Sequence, residues 1–435
     1  MKRWNIFFVI VSFFVFFSAD TYGADFTFGG QFRLRPEYRD NADFNKDTAD
    51  TQKFYGQRIR LNVEAKIDDN IKSFIQIQDT RYWGAEGDTA GTVSSPDTLY
   101  TASEKEALDL HQAYVEIGMI GEIPLSIKVG RQLLVYGEHR LIGDLDWSNN
   151  ARAFDAIKLI YKTETVSVDL WTSKLEENTI NSAAPSPTST GKDNDVDFYG
   201  LYSMIKTIPD VPIDLYLLYR NNEVIKEKRY TIGGRIEGKV INVIDLMGEG
   251  AYQFGDASTG VNIEAYALAL RGGYTFPFTW DPRVSIEYDY ATGDNDGTDK
   301  TNKTFDQLYP TWHRHLGYAD LVGWQNISAV RLGINAKPTQ KLYTYIDYWF
   351  FYLAQKKDGF YNAAGKATGF RAASAANTQD TVGNELDLLF KYTFNPNLIL
   401  EGGLSRFFRG DYIKDRVGAN SEDSDWGYLM LTLNF

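Results

Sequence analysis

Cysteine is absent from this 435-residue chain, which excludes a disulfide framework, a thiolate metal site and a cysteine nucleophile. Only four histidines occur, so imidazole chemistry is scarce. Beyond the first 20 residues no apolar run approaches the roughly 18 residues a spanning helix needs, and mean hydropathy is slightly negative at -0.35. Positive charge is also in deficit: 45 Lys and Arg face 58 Asp and Glu, a net charge of -13, which argues against nucleic acid as a partner. No Gly-x-Ser-x-Gly elbow and no phosphate-cradling glycine loop can be found, so no catalytic residue, metal site or cofactor is assigned and the chain does not read as an enzyme.

Aromatic residues are plentiful: 28 Tyr, 27 Phe and 9 Trp make up 15% of the chain. Modest hydropathy together with many aromatics is the composition of a transmembrane β-barrel, where lipid-facing and lumen-facing residues alternate and aromatic girdles mark both interfaces. The amino terminus supports export. Lys2 and Arg3 precede an apolar core from Ile6 to Phe17, and small or polar residues follow from Ser18 to Ala24, as in a cleavable signal peptide over residues 1–24.

The remaining chain alternates with period two. Phe26, Phe28, Phe32 and Leu34 share one face, and Thr27, Gln31, Arg33, Arg35 and Glu37 the other; Ile59, Leu61, Val63 and Ala65 likewise oppose Arg58, Arg60, Asn62, Glu64 and Lys66. Tight turns such as 67–70, 337–340 and 395–397 alternate with long polar connections at 84–105, 176–195, 293–317, 356–380 and 410–425, as expected of short periplasmic turns and long extracellular loops. At the end of the chain Leu429, Leu431, Leu433 and Phe435 lie on one face, a terminal aromatic strand of the kind the barrel-assembly machinery reads. The expected fold is all-β, a single outer-membrane antiparallel barrel of about 18 strands over residues 25–435, with 16 also compatible. Its surroundings would be the lipid bilayer and lipopolysaccharide.

Two blocks go beyond generic barrel features. The first is Gly130-Arg131-Gln132, Tyr136-Gly137, Arg140 to Asp144, Asp146 to Asn149 and Arg152 to Asp155; the second runs from Phe305 to Thr311 through His313, His315, Gly317 to Asp320 and Trp324 to Asn326. Together they resemble the alginate export porin family. The resemblance implies an outer-membrane barrel of about eighteen strands, usually monomeric, that passes an anionic uronate polymer through an arginine-rich lumen.

The polar strand faces should line that lumen. Candidate solute-binding residues are Arg33, Arg35, Arg58, Arg60, Arg235, Arg271 and Arg331, with Arg131 and Arg152 added from the first block. Guanidinium forks bind carboxylates bidentately and are weakly hydrated, which suits a polyuronate or a small anionic solute. The same registers put Glu37, Glu287, Asp289, Glu385 and Asp387 inside, so cross-strand pairing that merely braces a water-filled barrel is the competing reading. His313 and His315 lack a third ligand at motif spacing and read as part of a loop folded over the pore, and the oxygen-rich run 294–299 lacks the closing Glu of a calcium loop and reads as a solvated extracellular loop. The leading function is a porin for a hydrophilic anionic solute, with alginate-like polysaccharide export as the family-based version. A general small-molecule porin is the alternative within transport, and an outer-membrane enzyme or adhesin is the alternative of another class.

Overall fold

The computed structural model of the chain describes residues 23–48, 50–86, 107–118, 123–176 and 195–435. The expected signal peptide and the connections 84–105 and 176–195 fall largely outside them. Eighteen wall strands are present: β1 (Asp25–Asp40), β2 (Gln52–Lys66), β3 (Ile71–Glu86), β4 (Ala107–Ile117), β5 (Leu125–Gln132), β6 (Phe154–Lys162), β7 (Val166–Glu176), β8 (Val196–Ile205), β9 (Ile213–Asn222), β10 (Glu227–Ile241), β11 (Ile244–Ser258), β12 (Val261–Thr275), β13 (Arg283–Ala291), β14 (Ile327–Ala336), β15 (Leu342–Leu353), β16 (Thr381–Asn395), β17 (Leu398–Arg409) and β18 (Ser424–Asn434). Each pairs antiparallel with the next, and β18 returns to β1 with Phe32 opposite Leu433 and Gln31 opposite Asn434. Closure leaves no unpaired edge, the condition a sheet must meet in hydrocarbon. Phe435 completes the seam: its N–H donates to the Gly30 carbonyl at 3.0 Å and its carbonyl accepts from the Gly30 N–H at 2.7 Å.

Alternation decides which face meets what. Along β1, Phe26 and Phe28 are 52% and 60% exposed, whereas Arg33, Arg35, Glu37 and Arg39 are buried. The same inversion of soluble-protein logic recurs at Leu61, Leu217, Ile286, Leu332 and Leu404, all exposed, so the outside is an apolar belt suited to lipid. Stacked aromatics lie on that outer face, among them Tyr55 on Trp83 and Tyr219 on Tyr230. Glycines in the strands make room for large rings within the lumen. A Cβ at Gly200 would stand 2.0 Å from the Trp171 indole, and one at Gly233 would stand 2.5 Å from the Tyr216 ring.

Three departures from the sequence reading have physical causes. Several strands, β1 to β3 and β10 to β12 among them, run to 15 or 16 residues, longer than the roughly 9–11 that cross hydrocarbon. Their hydrogen-bonded rungs continue past the apolar belt, as at Lys228 opposite Asn221 and Asp256. Not every outer connection is long either: β9 joins β10 through 223–226, and β11 joins β12 through 259–260. Finally, the connection 410–425 carries a short helix, α1 (Asp411–Val417), whose Tyr412 and Ile413 are buried.

The most consequential feature lies inside. The connection between β5 and β6, residues 133–153, and the second half of the connection between β13 and β14, residues 303–326, do not project outward but enter the barrel. Their side chains build an interior core with wall residues, including Leu134, Leu141, Ile142, Phe305, Leu321 and Trp324 against Phe154, Phe198, Trp349 and Phe351. Burial of that apolar surface is what draws the two segments in.

Candidate functional site

The two inward segments, here called straps, are zipped to each other by main-chain hydrogen bonds. Tyr309 N–H donates to the Leu141 carbonyl at 2.9 Å, Gly143 N–H to the Tyr309 carbonyl at 2.9 Å, and Thr311 N–H to the His139 carbonyl at 2.9 Å. Twelve non-glycine residues have left-handed backbone among the described residues, and seven of them lie in the straps: His139, Leu145, Ala151, Leu308, Leu316, Asp320 and Asn326. Such conformations persist only where surrounding contacts over-determine them, and they concentrate at working sites.

The first strap crosses the lumen between two walls. Near its start Tyr136 stacks on Trp171 and Tyr202 and donates to Asp169 at 2.7 Å. Glu138 then accepts from Arg271 on β12 at 2.6 Å, and Arg140 reaches β13, bonding Asp289 at 2.8 Å and pairing closely with Glu287. At the far end Asp146 meets β2, with Arg58 at 3.0 Å and Arg60 at 2.7 Å. Arg33 of β1 donates to the main-chain carbonyls of Asp146 at 2.6 Å and Ser148 at 3.0 Å. Arg35 donates to the Trp147 carbonyl and also lies 3.9 Å over that indole ring. His313 of the second strap stacks on Trp147, with ring centroids 3.5 Å apart and planes inclined by 6°. Its Nδ1 bonds Asp320 at 2.9 Å.

The charges on the straps respond to this setting. Burial works against ionisation of Glu138, but the hydrogen bonds and charge of Arg271, with the charge of Arg140, outweigh it and bring the carboxyl down to about 2. Burial likewise opposes ionisation of Asp146, and Arg58, Arg60 and Arg33 together hold it well below the usual carboxylate range. Burial opposes that of Asp306 too, yet Arg220 and Arg229 bring it down to about 2. His315 is pushed down to about 3 by burial and by the Arg140 charge, so its ring is neutral where it bonds the Glu138 carbonyl at 2.9 Å.

The nine arginines singled out by sequence fall into four groups. Arg33, Arg35, Arg58 and Arg60 come together on the β1–β2 wall, buried beneath the first strap. Arg235, Arg271 and Arg331 line the opposite wall, where each faces carboxylates: Arg235 meets Asp214 at 3.3 Å and Arg331 meets Glu287 at 2.6 Å and Asp347 at 3.2 Å. Arg152 braces strap to strap through the carbonyls of Gly143 and Pro310 at 3.2 and 3.1 Å. Arg131 does not line the lumen. The register of β5 sets it opposite Ala113 and Asp155, on the outward face with Val129 and Ile157, where it pairs with Asp155 at 3.0 Å.

Sequence reasoning passed over Arg140, Glu138, Asp146 and Trp147 as site residues. They sit in a stretch with no period-two pattern between two strands that have it, and that break was the available signal. His313 and His315 point to different neighbours, and among the described residues no group of three or more His, Asp or Glu is placed to hold a metal.

No curated protein matches the chain in sequence at a significant level. Solved barrels share the fold at low identity. Pseudomonas aeruginosa OpdO matches with a TM-score of 0.62 at 12% identity, covering 94% of this chain and 97% of that one. The outer membrane protein OprD of the same organism gives 0.59 at 11% over 96% and 95%, and Acinetobacter baumannii OccAB4 gives 0.59 at 13% over 94% and 98%. The family model for alginate export matches residues 25–426. With a closed 18-strand wall, an apolar outer belt and a polar strapped lumen, this chain is an integral outer-membrane porin-type channel and belongs to the alginate export family.

Proposed function

We propose that the channel conducts carboxylate-bearing carbohydrates, with uronate units of an alginate-like polymer as the family-based version of that cargo. The observation that carries this reading is the charge on the β1–β2 wall. Three guanidiniums (Arg33, Arg58, Arg60) crowd there around the carboxylate and carbonyl of Asp146, at the place where the first strap narrows the lumen. Weak, exchangeable guanidinium sites suit a solute that must enter and leave. Arg152, Arg235, Arg271 and Arg331 would act more indirectly, by fixing the straps and the opposite wall. A small-molecule porin is the second reading, favoured by the zipped straps, which occupy lumen that a polymer would need.

Two further assignments belong to this reading. Residues 1–24 would be removed on export, and Phe435 would be read by the barrel-assembly machinery. Planar-bilayer recordings of the purified protein test the cargo. Anion preference, and current block by oligouronates that lengthens with chain length, is the expected result. Cation preference, or equal passage of neutral and anionic sugars, would overturn it; block by glucuronate but not by its oligomers would select the second reading.

A further inference from the structure

We infer that Asp146 is a tethered competitor, its carboxylate occupying the guanidinium cluster that an anionic solute must enter, so that it sets the selectivity of the channel. This rests on the reading of the constriction as an anion path. The placement of the carboxylate is the first reason. The Asp146 side chain is 45% exposed, whereas those of Arg58 and Arg60 are 1% and 10% exposed, so the carboxylate stands between the cations and lumen water.

The second reason is that the strap is held at this end by other groups. Arg33 holds the carbonyls of Asp146 and Ser148, Asn149 Nδ2 donates to the Gln57 carbonyl at 3.0 Å, and Gln78 Nε2 donates to the Asn150 carbonyl at 2.7 Å. The carboxylate is therefore not needed to hold the strap, and it is spent on the two arginines. The guanidiniums in turn have independent supports. Arg58 donates to Gln31 Oε1 at 2.7 Å and Arg60 to Gln78 Oε1 at 2.7 Å, which keeps both in position when Asp146 swings aside. Backbone geometry adds a third reason: Leu145, immediately before Asp146, is held in the left-handed region at φ 49°, a turn that aims the following side chain at β2.

Exchange of Asp146 for a solute carboxylate replaces like with like. The ion pairs formed resemble those broken, so neither a deep trap nor a high barrier results, as conduction demands. The competitor also lowers the affinity of the site for any anion by occupying it.

The test compares full-length wild type with Asp146→Asn, Arg60→Gln and the double variant in planar bilayers under a KCl gradient, with sodium glucuronate as blocker. Asp146→Asn is expected to raise the anion-to-cation permeability ratio by roughly threefold, and to lower the glucuronate concentration for half-block by roughly tenfold. The double variant should return towards wild type. An unchanged ratio and unchanged block in Asp146→Asn would overturn the inference. A several-fold jump in conductance with loss of all discrimination would also overturn it, because the carboxylate would then be an anchor. Should the Asn variant assemble poorly, Asp146→Ser is read by the same criteria. A wild type lacking anion preference, whose Asp146→Asn form acquires it, would refute the uronate reading and leave the role of Asp146 standing; equal anion preference in both would do the reverse.

Discussion

Arg140, carried across the lumen on the first strap, donates a 2.8 Å hydrogen bond to Asp289 of β13, and both residues are almost wholly buried. The same guanidinium pairs with Glu287 and lies 3.8 Å from Glu138. Carboxylates inside the wall that would otherwise repel one another are thus held by a cation supplied from a loop. Removing that cation leaves Asp289 buried without its guanidinium partner, while Glu287 keeps Arg331 at 2.6 Å and Glu138 keeps Arg271 at 2.6 Å.

Arg140→Leu should therefore cost on the order of 3–5 kcal/mol of strap docking, because breaking one side of a buried ion pair strands the other. The wall, held by its own hydrogen bonds, should still close. A larger and noisier single-channel conductance with retained heat-modifiable migration on gels is the expected result. Wild-type conductance would count against this role for Arg140.

Trp147 lies between two cation-bearing or polar partners, with Arg35 on one face and His313 on the other. Trp147→Ala removes a desolvated cation–π contact and a ring stack, together about 2–3 kcal/mol. The two straps meet through this stack, so both should loosen. Cysteine accessibility at introduced positions in 139–145 and 308–316 should rise in the variant.

Acid should weaken the straps, and alkali up to pH 9 should not. His315 is held down to about 3, while a released imidazole titrates near 6.5. Below about 6.5 the released strap gains a proton that the docked strap refuses, so docking weakens as pH falls towards 3. Glu138 and Asp306, both brought down to about 2, contribute stability that is present above about 4 and lost as pH falls through 2. Hydrogen exchange of the strap amides at pH 8, 5 and 3.5 checks the sign. Faster intrinsic-corrected exchange at pH 8 than at 5 would contradict it.

Gly200 tests the wall itself. The Trp171 indole lies so close across the β7–β8 pair that a Cβ at Gly200 has no room beside the rigid ring. Gly200→Val should cut the yield of folded barrel several-fold, and Gly200→Val with Trp171→Ala should recover part of it.

Much of this architecture could be read along the chain. The alternation of Phe26 and Phe28 with Arg33 and Arg35, the tight turns and the terminal Phe435 indicate a barrel, because a strand's two faces are set by neighbours one residue apart. The strand faces also carried most of the lumenal charge, Glu287 and Asp289 included. Arg131 escaped that logic: it follows Gly130, whose φ is 122°, and only its ladder partners reveal that it faces out. The first strap escaped too, since no local periodicity says whether a long polar loop projects into water or folds inward; of the second, only the placement of His313 and His315 on a loop over the pore was legible.

The order of residues alone determined a closed two-faced wall, its membrane and its family likeness, since period-two patterning is a local property that lipid and water enforce at every strand. Tertiary structure alone decided which carboxylates the lumenal arginines meet. Arg58 and Arg60 meet Asp146 more than 80 residues away, and Arg140 meets Asp289 across 149 residues. Pairings of that range exist only once the wall has closed around the straps, because burial and Coulomb attraction depend on distance in space.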